Sequence, residues 1–200
     1  MKILAIGAHP DDIEIGCVGT LLAFREKHSA EIVTLTLSSG EKSSVVEGAQ
    51  DRQEEKQSAI NLYDPEESHT GYLPDSEINL SDAIDIIEPF LYKILPDYIF
   101  THYCEDTHQD HRIVSQATIT ACRRYKNLLF YQSLSTVNFN PTVFCDITST
   151  LQRKLKILKA FTSQERKLNI SQFAEVTAQY WSYRTGFEYV EAFNSEKLFL

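Results

Sequence analysis

Short aliphatic and β-branched runs alternate along this chain with longer segments of helical period, and that alternation most narrows what it can fold into. Lys2–Gly7, Glu31–Leu37, Tyr98–His102 and Leu128–Tyr131 read as buried strands. Between them lie helical segments from Gly16 to about Lys27, from about Val46 to Leu62, from Leu80 to Leu95, and from about Gln109 to Tyr125. Strands joined through helices are crossover-connected, which makes the sheet parallel and puts helices on both of its faces. The expected fold is α/β: a Rossmann-like three-layer domain with a mostly parallel sheet in the order 3-2-1-4-5. In the last third, Val143–Ile147 looks extended, and Leu151–Phe161 and Ile170–Arg184 look helical. No linker sets these elements apart, so they are expected to pack on the same sheet, giving one domain over residues 1–200.

The segment Leu80–Leu95 has the clearest period, with Leu80, Ala83, Ile84, Ile87, Leu91, Ile94 and Leu95 recurring every three or four residues. Pro89 lies inside it. An interior proline removes a backbone hydrogen bond at a cost of about 3 kcal/mol, which predicts a kink or break near residues 85–88.

Charge and composition remove several function classes. The 19 basic residues are outnumbered by 28 acidic ones, a formal charge of −9, with no basic run to offset it. Such a surface repels nucleic acid phosphates and anionic membranes. The apolar start, Met1–Gly7, is too short for a signal peptide core or a membrane span. Cys17, Cys104, Cys122 and Cys145 are scattered with no CxxC pair, as in a reduced cytoplasmic protein.

In an open parallel sheet, ligands bind beyond the carboxyl ends of strands where the strand order reverses. Two polar clusters fall in such loops: Ala8-His9-Pro10-Asp11-Asp12-Ile13-Glu14 after the first strand, and Asp106-Thr107-His108-Gln109-Asp110-His111-Arg112 after the strand ending at His102. In the order 3-2-1-4-5 these two strands are neighbours, so the clusters face one crevice. Imidazole and carboxylate are zinc ligands, and a catalytic zinc site keeps one position open. His9, Asp12 and His111 can supply three ligands. Asp11, beside a ligand but not itself one, is then free to take a proton. His108 can stabilise an oxyanion or protonate a leaving amine, with Asp110 or Asp106 orienting it.

These motifs resemble the LmbE-like, or PIG-L, family of N-acetylglucosaminyl deacetylases. Arg52 with Glu55, Leu73-Pro74-Asp75, Thr101-His102, Asp146-Ile147-Thr148, Ser163-Gln164 and Glu191-Ala192-Phe193 extend the resemblance over nearly the whole chain. The resemblance implies zinc at His9, Asp12 and His111, Asp11 as general base, His108 assisting the transition state with Asp110 behind it, and Arg52 contacting substrate. It also implies an N-acetylated sugar as substrate and a homo-oligomeric state. Iron or cobalt suits the same donors.

Each feature has a plainer reading when taken alone. His-Pro-Asp-Asp makes a good turn, Asp110 and His111 suit the first turn of a helix, and Arg52 with Glu55 can be a surface i,i+3 pair. The combination favours metal-dependent hydrolysis of an acetamide. The rivals are an amidohydrolase for a non-sugar N-acyl metabolite and a ligand-binding module. The second is disfavoured because no glycine-rich dinucleotide fingerprint follows the first strand.

Overall fold

The computed structural model describes residues 1–42 and 49–199. Its centre is a strand, β1 (Lys2–Gly7), buried on both faces. Alternate side chains of a strand point to opposite sides. Leu4 and Ile6 accordingly join Val33, Leu35 and Leu37 in one core, while Ile3 and Ala5 join Ile32 and Leu21 in another. This double burial is why the strand reads as a continuous apolar run rather than an alternating one.

The chain continues through α1 (Asp12–Gly16), α2 (Val18–His28), β2 (Glu31–Ser38), α3 (Ala49–Tyr63), β3 (Glu67–Leu73), α4 (Leu80–Ile94), β4 (Tyr98–His102), α5 (Gln109–Ala121) and β5 (Leu128–Tyr131). It ends with β6 (Val143–Asp146), α6 (Leu151–Leu158), α7 (Thr162–Leu168), α8 (Ile170–Ser182) and β7 (Val190–Lys197). The seven strands of the described residues form one sheet, ordered β3-β2-β1-β4-β5-β7-β6. The expected 3-2-1-4-5 run is present and parallel throughout. Two strands extend it: β7 pairs antiparallel with β5, and β6 antiparallel with β7. Helices α4 and α5 cover one face through Ala83, Ile87, Leu91, Val114 and Ala117. On the other face Val18, Leu22, Ala59, Tyr63, Leu155 and Ala174, from α2, α3, α6 and α8, share a core.

The structure corrects the sequence reading at several points. Helix α4 runs unbroken through Pro89. Pro89 and Asp85, whose carbonyl loses its partner, both lie on the outer side, so water can take up the freed carbonyl while Ala83, Ile87 and Leu91 stay packed. Strand β3 is not expected from its sequence, Glu-Ser-His-Thr-Gly-Tyr-Leu, which has no apolar alternation and forms a half-buried edge. Strand β7 and the seven-residue α7 were also unforeseen. The residues after β1, expected to be loop as far as residue 15, already form α1 from Asp12. The expected start of the third helix near Val46 lies outside the described residues. Among the described residues, no helix is long and apolar enough to cross a membrane.

Candidate active site

Strands β1 and β4 are hydrogen-bonded neighbours, with Ile3 opposite Tyr98 and Ala5 opposite Phe100. The chain leaves β1 toward β2 on one side, while β4 lies on the other, so the strand order reverses here. The two polar clusters meet above this point, at the mouth of a cavity of about 470 Å³ whose wall includes His9, Asp11, Asp12, Arg52, His108 and His111.

The first cluster is a tight turn into α1. Asp11 adopts φ 104°, a conformation that costs a non-glycine residue about 1–3 kcal/mol and persists only where the surroundings impose it. The turn is imposed from two directions. The Asp11 carbonyl accepts the Ile15 N–H at 2.8 Å. Arg52, reaching in from α3 and only 1% exposed, donates to the Pro10 carbonyl and sets a terminal nitrogen 3.3 Å from the Asp11 carboxylate. Arg52 also lies 3.5 Å from Glu55, the i,i+3 partner, which here is drawn inward rather than lying on the surface.

The second cluster opens α5. His108 caps the helix, its Nδ1 accepting the Asp110 backbone N–H at 3.2 Å, which places the ring proton on Nε2. The loop before it is held by a bridge between Asp106 and Thr136 and by the Thr107 N–H on the Ser135 carbonyl.

His9 and His111 are each gripped from behind by carboxylates. His9 Nε2 lies 3.0 Å from Asp110 and 3.3 Å from Asp75, while its Nδ1 faces Asp12 at 3.4 Å. His111 Nδ1 lies 3.2 Å from Asp106, while its Nε2 faces Asp12 at 3.4 Å. Asp106 is itself held by the hydroxyls of Ser133 and Thr136 and the N–H of His108. Outer nitrogens bonded to carboxylates leave the inner nitrogens free to present lone pairs toward a common point, the arrangement found behind metal-ligating histidines. The donor set of two imidazoles and one carboxylate fits zinc chemistry. Ligand atoms of His9, His108 and His111 also lie close enough together to share an ion, as do those of Asp12, His102 and His111, and of His9, Asp75 and Asp110.

The adjacent aspartates have opposite electrostatics. Burial pushes the Asp11 carboxyl up to about 7, against the pull of Arg52. Burial also opposes ionisation of Asp12, but His111 and His102 outweigh it and hold that carboxyl well below its usual range. For His9, burial works against charge, yet Asp110, Asp12 and Asp75 keep its pKa well above the ordinary value. For His111, burial is likewise outweighed by Asp12 and Asp106, and its pKa goes up to about 9. Burial and the neighbouring His111 lower His108, and they take the fully buried His102 down to about 4.

Residues 4–122 match the family described as PIG-L: GlcNAc-PI de-N-acetylase. The chain belongs to this family. A relative in Escherichia coli K12, the uncharacterized deacetylase YaiS, is 35% identical in an alignment of 152 residues that covers 71% of this chain and 80% of that protein. Among solved structures, the conserved protein TT1542 from Thermus thermophilus superposes with a TM-score of 0.89 at 22% identity, covering 99% of this chain and 96% of its own. N,N′-diacetylchitobiose deacetylase from Pyrococcus horikoshii superposes with a TM-score of 0.83 at 21% identity, covering 97% and 83% respectively. At these identities the structural likeness is one of fold.

Of the residues singled out in sequence, His9, Asp11, Asp12, Arg52, His108 and His111 share the cavity wall. Asp110 is fully buried. Its carboxylate contacts His9 and the Ser76 N–H, and it reaches His108 only through its backbone, so it backs His9 rather than His108. Asp106 likewise backs His111 rather than His108. Three further residues support the site: Asp75 against His9, Ser133 against Asp106, and His102, at a strand end where a structural or supporting role is expected, against Asp12. Asp75 had a signal in Leu73-Pro74-Asp75; Ser133 had none.

Proposed function

We propose that this PIG-L protein hydrolyses the N-acetyl group of an N-acetylglucosamine-type sugar or sugar conjugate, releasing acetate and a free amine. The observation that carries the reading is the convergence of His9 Nδ1 and His111 Nε2 on Asp12, each ring backed by a carboxylate, with the non-ligating carboxylate of Asp11 on the same cavity wall. His9, Asp12 and His111 would hold a divalent cation, with zinc the first choice and ferrous iron served by the same donors. Such a cation, when bound, supplies Lewis-acid activation of the amide carbonyl and of the attacking water.

The protein's own groups do the rest. Asp11 takes the proton from water as its oxygen attacks the carbonyl carbon, and returns it to the nitrogen as the C–N bond breaks. Arg52 holds the turn from Pro10 to Asp12 in place through the Pro10 carbonyl and the Asp11 carboxylate. That makes Arg52 a clamp on the base, in addition to any contact with substrate across the cavity. His108, with its proton on Nε2, donates to the oxyanion that develops on the acetyl oxygen. Asp110 and Asp106 fix the rings of His9 and His111. The cavity volume falls within the roughly 300–1,000 Å³ of small-molecule sites, and Ile15, Leu134 and Leu168 give it an apolar side.

The test is acetate release from a panel of N-acetylglucosamine derivatives and non-sugar acetamides by metal-loaded protein, with a chelated control. Metal-dependent release from a sugar supports the reading. Release only from non-sugar acetamides keeps the chemistry and changes the amine. No release from protein holding stoichiometric metal overturns the proposal.

A further inference from the structure

His102 closes β4, is fully buried, and stacks on His111 with ring centroids 4.0 Å apart and planes inclined by 13°. Its Nε2 has two neighbours at 3.1 Å: the Asp12 carboxylate oxygen Oδ2 and the backbone N–H of Ala8. Its Nδ1 is buried with no hydrogen-bond partner among the described residues.

One nitrogen of a neutral ring cannot both donate to Asp12 and accept from Ala8. With the proton on Nδ1, Nε2 would accept from Ala8, but its lone pair would then confront an ionised oxygen and the Nδ1–H would be buried without an acceptor. With the proton on Nε2, the ring makes a charge-assisted bond to Asp12, roughly twice as strong as a neutral one. The unpartnered position is then a lone pair rather than an N–H, and the cost falls on the Ala8 N–H. The second arrangement wins on both of the terms that concern the ring.

Resting on the reading of His9, Asp12 and His111 as metal ligands, we infer that His102 is a positioning residue that selects which oxygen of Asp12 faces the metal. Oδ2 lies 3.4 Å from His9 Nδ1, but it also receives two N–H donors, the His9 backbone at 2.7 Å and His102 Nε2 at 3.1 Å, which take up its lone pairs. Oδ1 faces His111 Nε2 at 3.4 Å, a nitrogen whose lone pair would turn to the cation when one is bound. The carboxylate is thereby locked about its last torsion, with Oδ1 presented to the cation. His102 itself is not a ligand, because its Nε2 has no lone pair to give in this tautomer, even though its position beside Asp12 and His111 would suit one. The stack on His111 lets one residue brace two ligands, one by a hydrogen bond and one by ring contact.

The test compares the full chain with His102→Gln, His102→Asn and His102→Leu. A glutamine amide can reach the position of Nε2–H; asparagine is one bond too short, and leucine has no donor. The readouts are zinc affinity by competition with a chromophoric chelator, the visible absorption of the cobalt-loaded protein, and thermal melting. Leucine and asparagine variants are expected to lose about 10–100-fold in metal affinity, the glutamine variant to recover most of it, and all to keep the cobalt band of the parent because the ligand number is unchanged. If any variant melts before assay, the glutamine–asparagine pair, close in size and polarity, carries the comparison. Equal affinity in the glutamine and asparagine variants overturns the inference. A cobalt band lost alike in all three overturns it in favour of His102 as a ligand. A parent chain that takes up no metal instead sinks the ligand assignment on which the inference stands.

Discussion

Asp11 and Asp12 are chain neighbours, yet one faces Arg52 and the open cavity while the other is hemmed in by three histidines. Replacing them should therefore have different effects. Asp11→Asn is expected to keep metal affinity and lower kcat by about 10²–10⁴-fold, the usual contribution of a positioned proton carrier. His111→Ala should lose both metal and turnover, which metal analysis beside an acetate assay will show. A fully active Asp11→Asn would mean that another group carries the proton. Arg52 offers a second test at this scale. Arg52→Met removes the only cation in contact with the Asp11 carboxylate among the described residues and frees the strained turn. Breaking a buried pair on one side costs about 3–5 kcal/mol, so the urea midpoint should fall sharply as well as the activity. An Arg52→Met protein that loses activity at unchanged stability would return Arg52 to a purely substrate-binding role.

At the scale of elements, the site depends on helix ends that are held from a distance. Helix α2 has no side-chain cap of its own at Cys17. Glu191, in β7, supplies one by accepting the Gly19 and Thr20 N–H groups at 3.0 and 2.6 Å. Lys154, in α6, pairs with Glu191 and donates to the Ile15 carbonyl in α1, the helix that begins with Asp12. Both charged residues are at most 5% exposed. Glu191→Gln is thus expected to destabilise by about 3 kcal/mol by leaving the lysine charge buried, while the double replacement Lys154→Met with Glu191→Leu regains most of the loss. Chemical denaturation of Lys154→Met, Glu191→Leu and the double variant measures this coupling directly. Additive effects would show that the pair does not act as a unit. The motif Glu191-Ala192-Phe193, weak as a sequence signal, thus gains a physical meaning as the distant cap of α2.

Across the whole molecule, a buried charge on the inward side of α3 should shape the pH dependence of stability. Lys56 is 5% exposed, donating to the His69 carbonyl and the Thr70 hydroxyl, and burial, partly offset by Glu14, lowers its pKa to about 8. Between about pH 8 and the unfolded lysine value near 10.4, the unfolded chain binds a proton that the folded one does not. Stability should therefore rise with pH across that window from this residue, and the slope vanishes below it, where both states are protonated. Lys56→Met should remove the rise and stabilise the protein at pH 7, as read from urea midpoints at pH 7 and 9.5. A rise that persists in the variant would assign it to another group.

Much of this architecture was legible beforehand, because periodicity and motif position are local properties. The runs at Lys2–Gly7, Glu31–Leu37 and Tyr98–His102 announce strands that are buried on both faces, and the two polar clusters follow two of them, so their meeting at the switch point follows from crossover topology. The edges were not legible. A half-exposed strand such as β3 has little apolar surface to bury and so leaves no pattern, and β7 reveals itself only by pairing with β5. The same limit applies inside the site. The sequence by itself determined that His9, Asp11, Asp12, His108 and His111 would share a crevice. Only the tertiary structure decided that Asp110 backs His9, that Asp106 backs His111, and that His102 reaches Oδ2 of Asp12. Those are choices of hydrogen-bond partner between residues from distant parts of the chain, set by the pairing of β1 with β4, and no local pattern encodes them.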